Sequence, residues 1–409
     1  MKKNDDKTMA EGYKQDGADE VSVQVHSKAI NSISLANTDA IVQVNNESDD
    51  PKDLAVTVNK FGKHARVADK GELHLAGDGS AKNVMIDVAG NSEFDLASGA
   101  VESIAVAGTA ALTLGVLNAA GDDPSTTLKS ITNSGSGKLT MDVADTTALK
   151  TIDGSESSGG SGITNVHAVI TDVKGGSGAD HVSMMAHAAS GVTVDLGAGD
   201  DRFRSGAGHT DSRIDGGEGT DTLHLTSSAG YTYTPEGGRP NSATIYSNFE
   251  VLDVGGSAEA TYNTALLGVG SVVVSANTTG TGSVTLMNMA DGMGITVDGK
   301  RDNTAVGAGG TTASIVHTMP EREPGSSYSG ELAVHLTANG GERDTEEMTG
   351  GEATLTLQSD PEIQTLNVHS NANPGGTHAS VSARIKPSAG NYHNKLEGTL
   401  FGARYEVLL

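Results

Sequence analysis

The chain has no cysteine and no tryptophan, and aromatic residues make up only 3% of its 409 positions. Without cysteine there are no disulfides, no zinc–thiolate centres and no thiol catalysis. The same absence suits a chain exported unfolded, since no bridge can form early. Basic residues are few: 27 Lys and Arg stand against 52 Asp and Glu, a formal net charge of −25. Such an acidic chain argues against nucleic acid and anionic membrane surfaces as partners, and it suits cations. No apolar run approaches the ~18 residues of a spanning helix, so no membrane insertion is expected. Met1 to Glu20 holds lysines and acids but no apolar stretch of the kind a Sec signal peptide carries. It reads as a disordered lead.

Scarce aromatics also limit the core, because globular interiors draw much of their buried area from them. A chain with five Phe and eight Tyr must bury small branched side chains in thin layers instead. Glycine, by contrast, is abundant, at 54 residues, near twice the usual ~7%. Both features suit an all-β parallel β-solenoid or β-roll, in which each coil packs on the next and strands lie ~4.8 Å apart. The flanks leave room for small β-sandwich-like segments.

The glycines concentrate between Gly175 and Leu225. Gly175-Gly176-Ser177-Gly178-Ala179-Asp180-His181-Val182-Ser183 and Gly216-Gly217-Glu218-Gly219-Thr220-Asp221-Thr222-Leu223-His224 both fit the nonapeptide G-G-x-G-x-D-x-U-x, with U a large apolar residue. Gly197-Ala198-Gly199-Asp200-Asp201-Arg202-Phe203 fits from its second position, and Gly206-Ala207-Gly208-His209-Thr210-Asp211 is a looser copy. Calcium is a hard cation that takes six to eight oxygens. The glycines allow φ > 0 and tight turns that aim carbonyls at one point. The aspartate adds charge, and the apolar residue two positions on starts a strand facing inward. Successive motif acids, Asp180, Asp201 and Asp221, recur at intervals slightly longer than the ~18 residues of two nonapeptides. Met184 to Ser190 is the clearest insertion. The expected ligands of Ca2+ are Asp180, Asp201 and Asp221, with Gly176, Gly178, Gly197, Gly199, Gly217 and Gly219 shaping the turns. Asp200, Asp215, Gly206, Gly208 and Asp211 complete the candidate set.

Elsewhere a phrase recurs: apolar, two residues, apolar, one residue, apolar. Ile30 to Leu35, Val101 to Val106, Phe249 to Val254 and Ile363 to Val368 carry it. Leu128-Lys129-Ser130-Ile131 and Leu149-Lys150-Thr151-Ile152 are shorter forms, set apart by an interval that suits one solenoid coil. Alternation over such short runs means strands, and Gly/Ser/Asn patches between them mean turns. An antiparallel sandwich also has short strands and frequent turns; the repeated Leu-Lys-Ser/Thr-Ile phrase favours stacked coils. The expected organisation is a lead over 1–20, an N-terminal β region over 21–91 and solenoid coils over 92–173. A calcium β-roll over 174–226, coils over 227–299, a linker over 300–330 and a C-terminal β region over 331–409 follow. Tyr231 to Pro240 reads as an irregular insertion, and Thr261 to Leu267 as a turn or two of helix.

Catalytic signatures are missing. There is no H-E-x-x-H and no G-x-S-x-G, and Gly135-Ser136-Gly137-Lys138-Leu139 lacks the rest of a phosphate loop. His181, His187, His209 and His224 read as exposed repeat positions rather than as ligands. No enzyme is expected.

The nonapeptides resemble those of RTX (repeats-in-toxin) proteins. The longer phrases Ile214 to Leu223, Asn248 to Val254, Leu149 to Ser155 and Ile363 to Ser370 narrow the resemblance to calcium-dependent surface-layer proteins of Gram-negative bacteria and related β-repeat adhesins. The resemblance implies type I secretion without an N-terminal signal and location at the cell surface. It also implies self-association into a lattice or homo-oligomer, and attachment to lipopolysaccharide or another cell-surface glycan. The apolar end Phe401 to Leu409 is compatible with a C-terminal secretion signal and equally with a plain strand.

Overall fold

The computed structural model describes residues 13–14, 21–38, 40–48, 53–62, 71–77, 80–118, 124–166, 169–184, 191–205, 212–226, 245–257, 260–275, 284–298, 311–317, 331–338, 352–359, 365–372, 380–387 and 395–399. The chain divides into two compact units: Met1–Arg202 with Ser212–Gly219, and Phe203–Asp211 with Thr220–Leu409. The division falls inside the glycine-rich stretch. Each unit is an all-β parallel β-solenoid.

In the first unit, one parallel ladder runs through Val21–Ser27, Ile41–Asn46, Gly71–Ala76, Ser92–Ser98, Leu112–Leu117, Leu139–Asp142, Ser161–Val166 and His181–Met184. The second runs through Ser32–Ala36, Leu54–Asn59, Asn83–Gly90, Ser103–Gly108, Ser130–Asn133, Thr151–Asp153, Asp172–Lys174, Thr193–Asp195 and Arg213–Asp215. Each coil contributes one strand to each ladder. Residues 21–91 therefore build the same coils as 92–173, with no separate sandwich among the described residues.

The register explains the sequence pattern. Ile131, Ile152, Val173, Val194 and Ile214 stack one on the next, at nearly even intervals along the chain. All five are buried. Their strand neighbours point outward and are polar, so parallel strands here alternate apolar and polar, unlike those of sheets covered on both faces. The repeated phrase is the coil repeat itself, since Ser130 pairs with Thr151 and Ile131 with Ile152. Leu128 and Leu149, each 0% exposed, fill the corner before the strand. Phe61 and Phe94 pack in a tilted pair with centroids 5.1 Å apart.

In the second unit one ladder joins Thr222–Leu225, Val251–Asp253, Ser271–Val274, Gly294–Asp298, Glu331–Ala338, Thr365–Ala372 and Lys395–Thr399. The other joins Thr261–Asn263, Val284–Met287, Thr311–His317, Glu352–Ser359 and Ser380–Pro387. Thr311–His317, within the expected linker, is thus a full ladder strand. The helix expected near Thr261 is a single turn, Thr264–Leu267. Asn263 caps it by accepting the Leu266 amide, and Gly268 ends it at φ 73°. Phe203, Tyr246 and Phe249 cluster at centroid separations of 6.4 Å. Four of the five Phe are thereby placed in two buried clusters. No helix among the described residues is long and apolar enough to cross a membrane.

Candidate functional site

The glycine-rich turns stack along one edge of the first unit. The Ser177 amide donates to Ser157 O and the Ala198 amide to Gly176 O, both at 2.8 Å. Ala198 and Glu218 form a parallel bridge, with Glu218 N bonded to Gly197 O and Gly199 N to Glu218 O. These bonds tie successive turns through their carbonyls. An accepting carbonyl keeps a second lone pair, so the edge remains a row of oxygen donors.

Two kinds of glycine build this row. Gly197, Gly199, Gly217 and Gly219 have φ of 92°, 129°, 101° and 143°, the geometry expected of them. Gly176 and Gly178 do not share it. They are required for contact: a Cβ at Gly176 would overlap Ser157 O, and one at Gly178 would overlap Gly160 N. Their role as φ > 0 turn formers is therefore corrected to one of close coil approach.

The motif acids behave alike. Asp180, Asp201 and Asp221 are 2%, 2% and 0% exposed, although each is an acid in a strongly acidic chain. Within the first unit, Asp180 Oδ2 accepts the Gly176 amide at 2.9 Å, closing its own turn. Its own amide donates to Asp201 Oδ1 at 2.7 Å. The carboxylate of one coil thus holds the backbone of the preceding one. Asp180 Oδ1 is buried with no hydrogen-bond partner. Burial drives the Asp180 carboxyl above the ordinary carboxylate range, against the opposing bond from the Gly176 amide.

That shift has a definite sign. A folded-state value above the unfolded one means that protonation favours the fold. The contribution is fully present below the unfolded Asp value of ~3.9 and is lost as pH rises through the raised folded value. In chelator, the stability of the wild-type chain should fall relative to Asp180→Asn as pH rises from about 4. Denaturant melts of both proteins at successive pH values measure the difference; parallel curves would contradict the assignment.

The remaining candidates separate from this core. Asp200 is exposed. Asp215 faces outward on its strand, with Oδ2 3.6 Å from Arg213 Nη2, and stacks in register on Asp195, Lys174 and Asp153. Gly206, Gly208 and Asp211 lie outside the described residues, as do His187, His209, 185–190, Tyr231 to Pro240 and Phe401 to Leu409. His181 is half-buried. His224 was expected at the surface and is instead 7% exposed. Its Nε2 donates to Gly255 O at 2.8 Å, and its Nδ1 lies 3.8 Å from Asp253 Oδ2. It belongs to a buried polar knot in which Tyr262 Oη donates to Leu225 O.

Sequence reasoning missed two members of the motif-acid position. Ser161 precedes Gly162, which pairs with His181, so Ser161 stands where Asp180 stands one coil later. Glu250 precedes Val251, which pairs with Thr222, so it occupies the position of Asp221. Glu250-Val251-Leu252 follows the same acid–x–apolar pattern as Asp221-Thr222-Leu223, a signal readable without the glycines.

Chemically, buried carboxylates beside stacked carbonyls are all-oxygen, hard donors. No three His, Asp or Glu side chains converge as a metal cluster among the described residues. An ion here would draw most of its ligands from backbone carbonyls, with Asp180 and Asp201 as the anionic ones. No protein-family model matches this chain, and no curated protein matches it.

Proposed function

We propose that this chain is a secreted, calcium-dependent structural protein of the RTX type, a surface-layer or surface-layer-like subunit whose folding and assembly are driven by Ca2+. The observation that carries the reading is Asp180, an acid 2% exposed whose Oδ1 has no hydrogen-bond partner, set against a stack of glycine turns. An ionised carboxylate removed from water without full compensation is costly. A cation supplies the missing partner. The donors present are oxygens, which select a hard ion such as calcium over zinc or copper. Carboxylates of Asp180 and Asp201 and carbonyls of the Gly176–Gly178, Gly197–Gly199 and Gly217–Gly219 turns would hold it.

Calcium also answers the bulk charge. At low calcium the net charge of −25 opposes compaction, and binding neutralises part of it. Extracellular calcium modules bind at roughly 0.1–1 mM. Such a chain stays loose in a low-calcium cytoplasm and folds outside. The role is one of assembly rather than catalysis, since no catalytic arrangement is legible in the sequence. Attachment to lipopolysaccharide or another glycan belongs to the same reading.

Light scattering with negative-stain microscopy tests it, on protein titrated from chelator into calcium. Ordered sheets at millimolar calcium are the expected result. A monomer that folds with calcium yet never assembles would replace the lattice role by that of an adhesin or biofilm-matrix module. A chain indifferent to calcium would remove both.

A further inference from the structure

The motif position does not end with the glycine turns. In the first unit, the Asp180 amide donates to the carboxylate of Asp201, one coil on, at 2.7 Å. In the second unit, the Asp221 amide donates to Glu250 Oε2 at 2.8 Å. The reverse strand bond is also made, with the Glu250 and Val251 amides both reaching Asp221 O, at 3.1 and 3.0 Å. Glu250 therefore does for Asp221 what Asp201 does for Asp180. The settings differ. Asp201 follows a glycine turn and is 2% exposed, whereas Glu250 follows Asn248-Phe249 and is exposed. One coil further, the position is taken by Gly270, whose amide binds Glu250 O and which has no side chain to offer.

We infer that Glu250 is a positioning residue of the second unit: from a strand entered through Asn248-Phe249, its side chain holds the Asp221 amide, a bond that needs no ion. A carboxylate accepting a backbone N–H forms a charge-assisted bond, stronger than a neutral one. The Asp221 amide is consequently fixed before any cation arrives. This role goes beyond the calcium reading and does not depend on it.

Hydrogen exchange by mass spectrometry on the full chain, in chelator and in calcium, tests the inference. In chelator, Glu250→Ala should speed exchange in peptides covering 220–226 by about tenfold or more, the equivalent of one charge-assisted bond. Glu250→Gln, whose amide oxygen still accepts, should restore most of the protection. Calcium stoichiometry should equal that of wild type in both variants. Unchanged exchange over 220–226 in Glu250→Ala would overturn the inference, as would a uniform rise along the chain with no local excess. Loss of a bound ion would make Glu250 a ligand and also overturn it. Should Glu250→Ala not fold, Glu250→Gln carries the test: protection over 220–226 intermediate between wild type and free exchange is expected, and wild-type protection with one ion fewer contradicts it. If the calcium reading itself fails, wild type shows no response to calcium, while the Glu250→Ala effect in chelator persists.

Discussion

Replacing Asp180 and Asp201 together by Asn should raise the melting temperature in chelator and lower it in calcium, bringing the two values together. Both acids are 2% exposed, and they share the bond from the Asp180 amide to Asp201 Oδ1. Without a cation, each carboxylate pays for its charge by being held out of water, which opposes folding. Asn keeps an oxygen to accept the Gly176 and Asp180 amides and removes the charge, so the calcium-free protein gains. With a cation, the same change removes its anionic ligands. For a dissociation constant of roughly 0.1–1 mM, one ion contributes about 1.4 to 2.7 kcal/mol at about 10 mM free calcium. Most of that increment should vanish in the double variant. Calorimetric melts of both proteins, each with chelator and with calcium, measure all four values. A variant retaining the wild-type calcium shift would eliminate these two residues as ligands.

Gly217→Val should be still more damaging, and damaging with or without calcium. Gly217 sits at φ 101°, and a Cβ there would overlap the carbonyl oxygen of Gly197 on the neighbouring coil. Strain at such a φ costs of order 1–3 kcal/mol alone. The overlap is with backbone already bonded to Glu218 N, so it cannot be relieved by a side-chain rotation. A loss of about 3 kcal/mol or more is expected. Gly268→Ala is the comparison. Gly268 has φ 73° with nothing within 4 Å of the added carbon, so it should cost only ~1 kcal/mol. Denaturant melts give both figures. Similar losses at the two sites would mean that conformation alone, and not the closeness of the coils, requires glycine at 217.

Much of the candidate site was legible in the residues. The glycine–aspartate nonapeptides located the stacked turns, and the motif position located the acids that burial singles out, Asp180, Asp201 and Asp221. Less was legible where two residues of the same type do different work. Asp200 and Asp201 are adjacent and chemically identical, yet one is exposed and the other buried, because strand alternation begins between them. Gly176 and Gly197 hold comparable places in their nonapeptides, yet only Gly197 takes φ > 0; the other is needed because a neighbouring carbonyl passes too close. His224 looks like an exposed repeat position, and it is buried because Gly255 and Asp253 of the next coil supply its polar surroundings. Each of these outcomes depends on the coil above or below, which lies a full repeat away along the chain.

The sequence by itself determined that the protein is all-β, that its core is thin and aliphatic, and that it repeats. Those follow from local causes: short alternation, glycine and asparagine turns, few aromatics, and a phrase that returns one coil later. Only the tertiary structure decided the register. Alternation of apolar and polar residues serves an antiparallel sandwich as well as a parallel coil, and nothing local distinguishes them. Stacking does, by placing Ile131 on Ile152 and Ser130 on Thr151. It also decided which phrases are equivalent: the one beginning at Val101 supplies the second ladder of its unit, whereas Phe249 to Val254 continues the strand that follows a motif acid. Register is a property of pairs of coils, set by which side chains reach the common interior. For that reason the acid–x–apolar pattern of Glu250-Val251-Leu252 becomes a motif position only through the pairing of Val251 with Thr222.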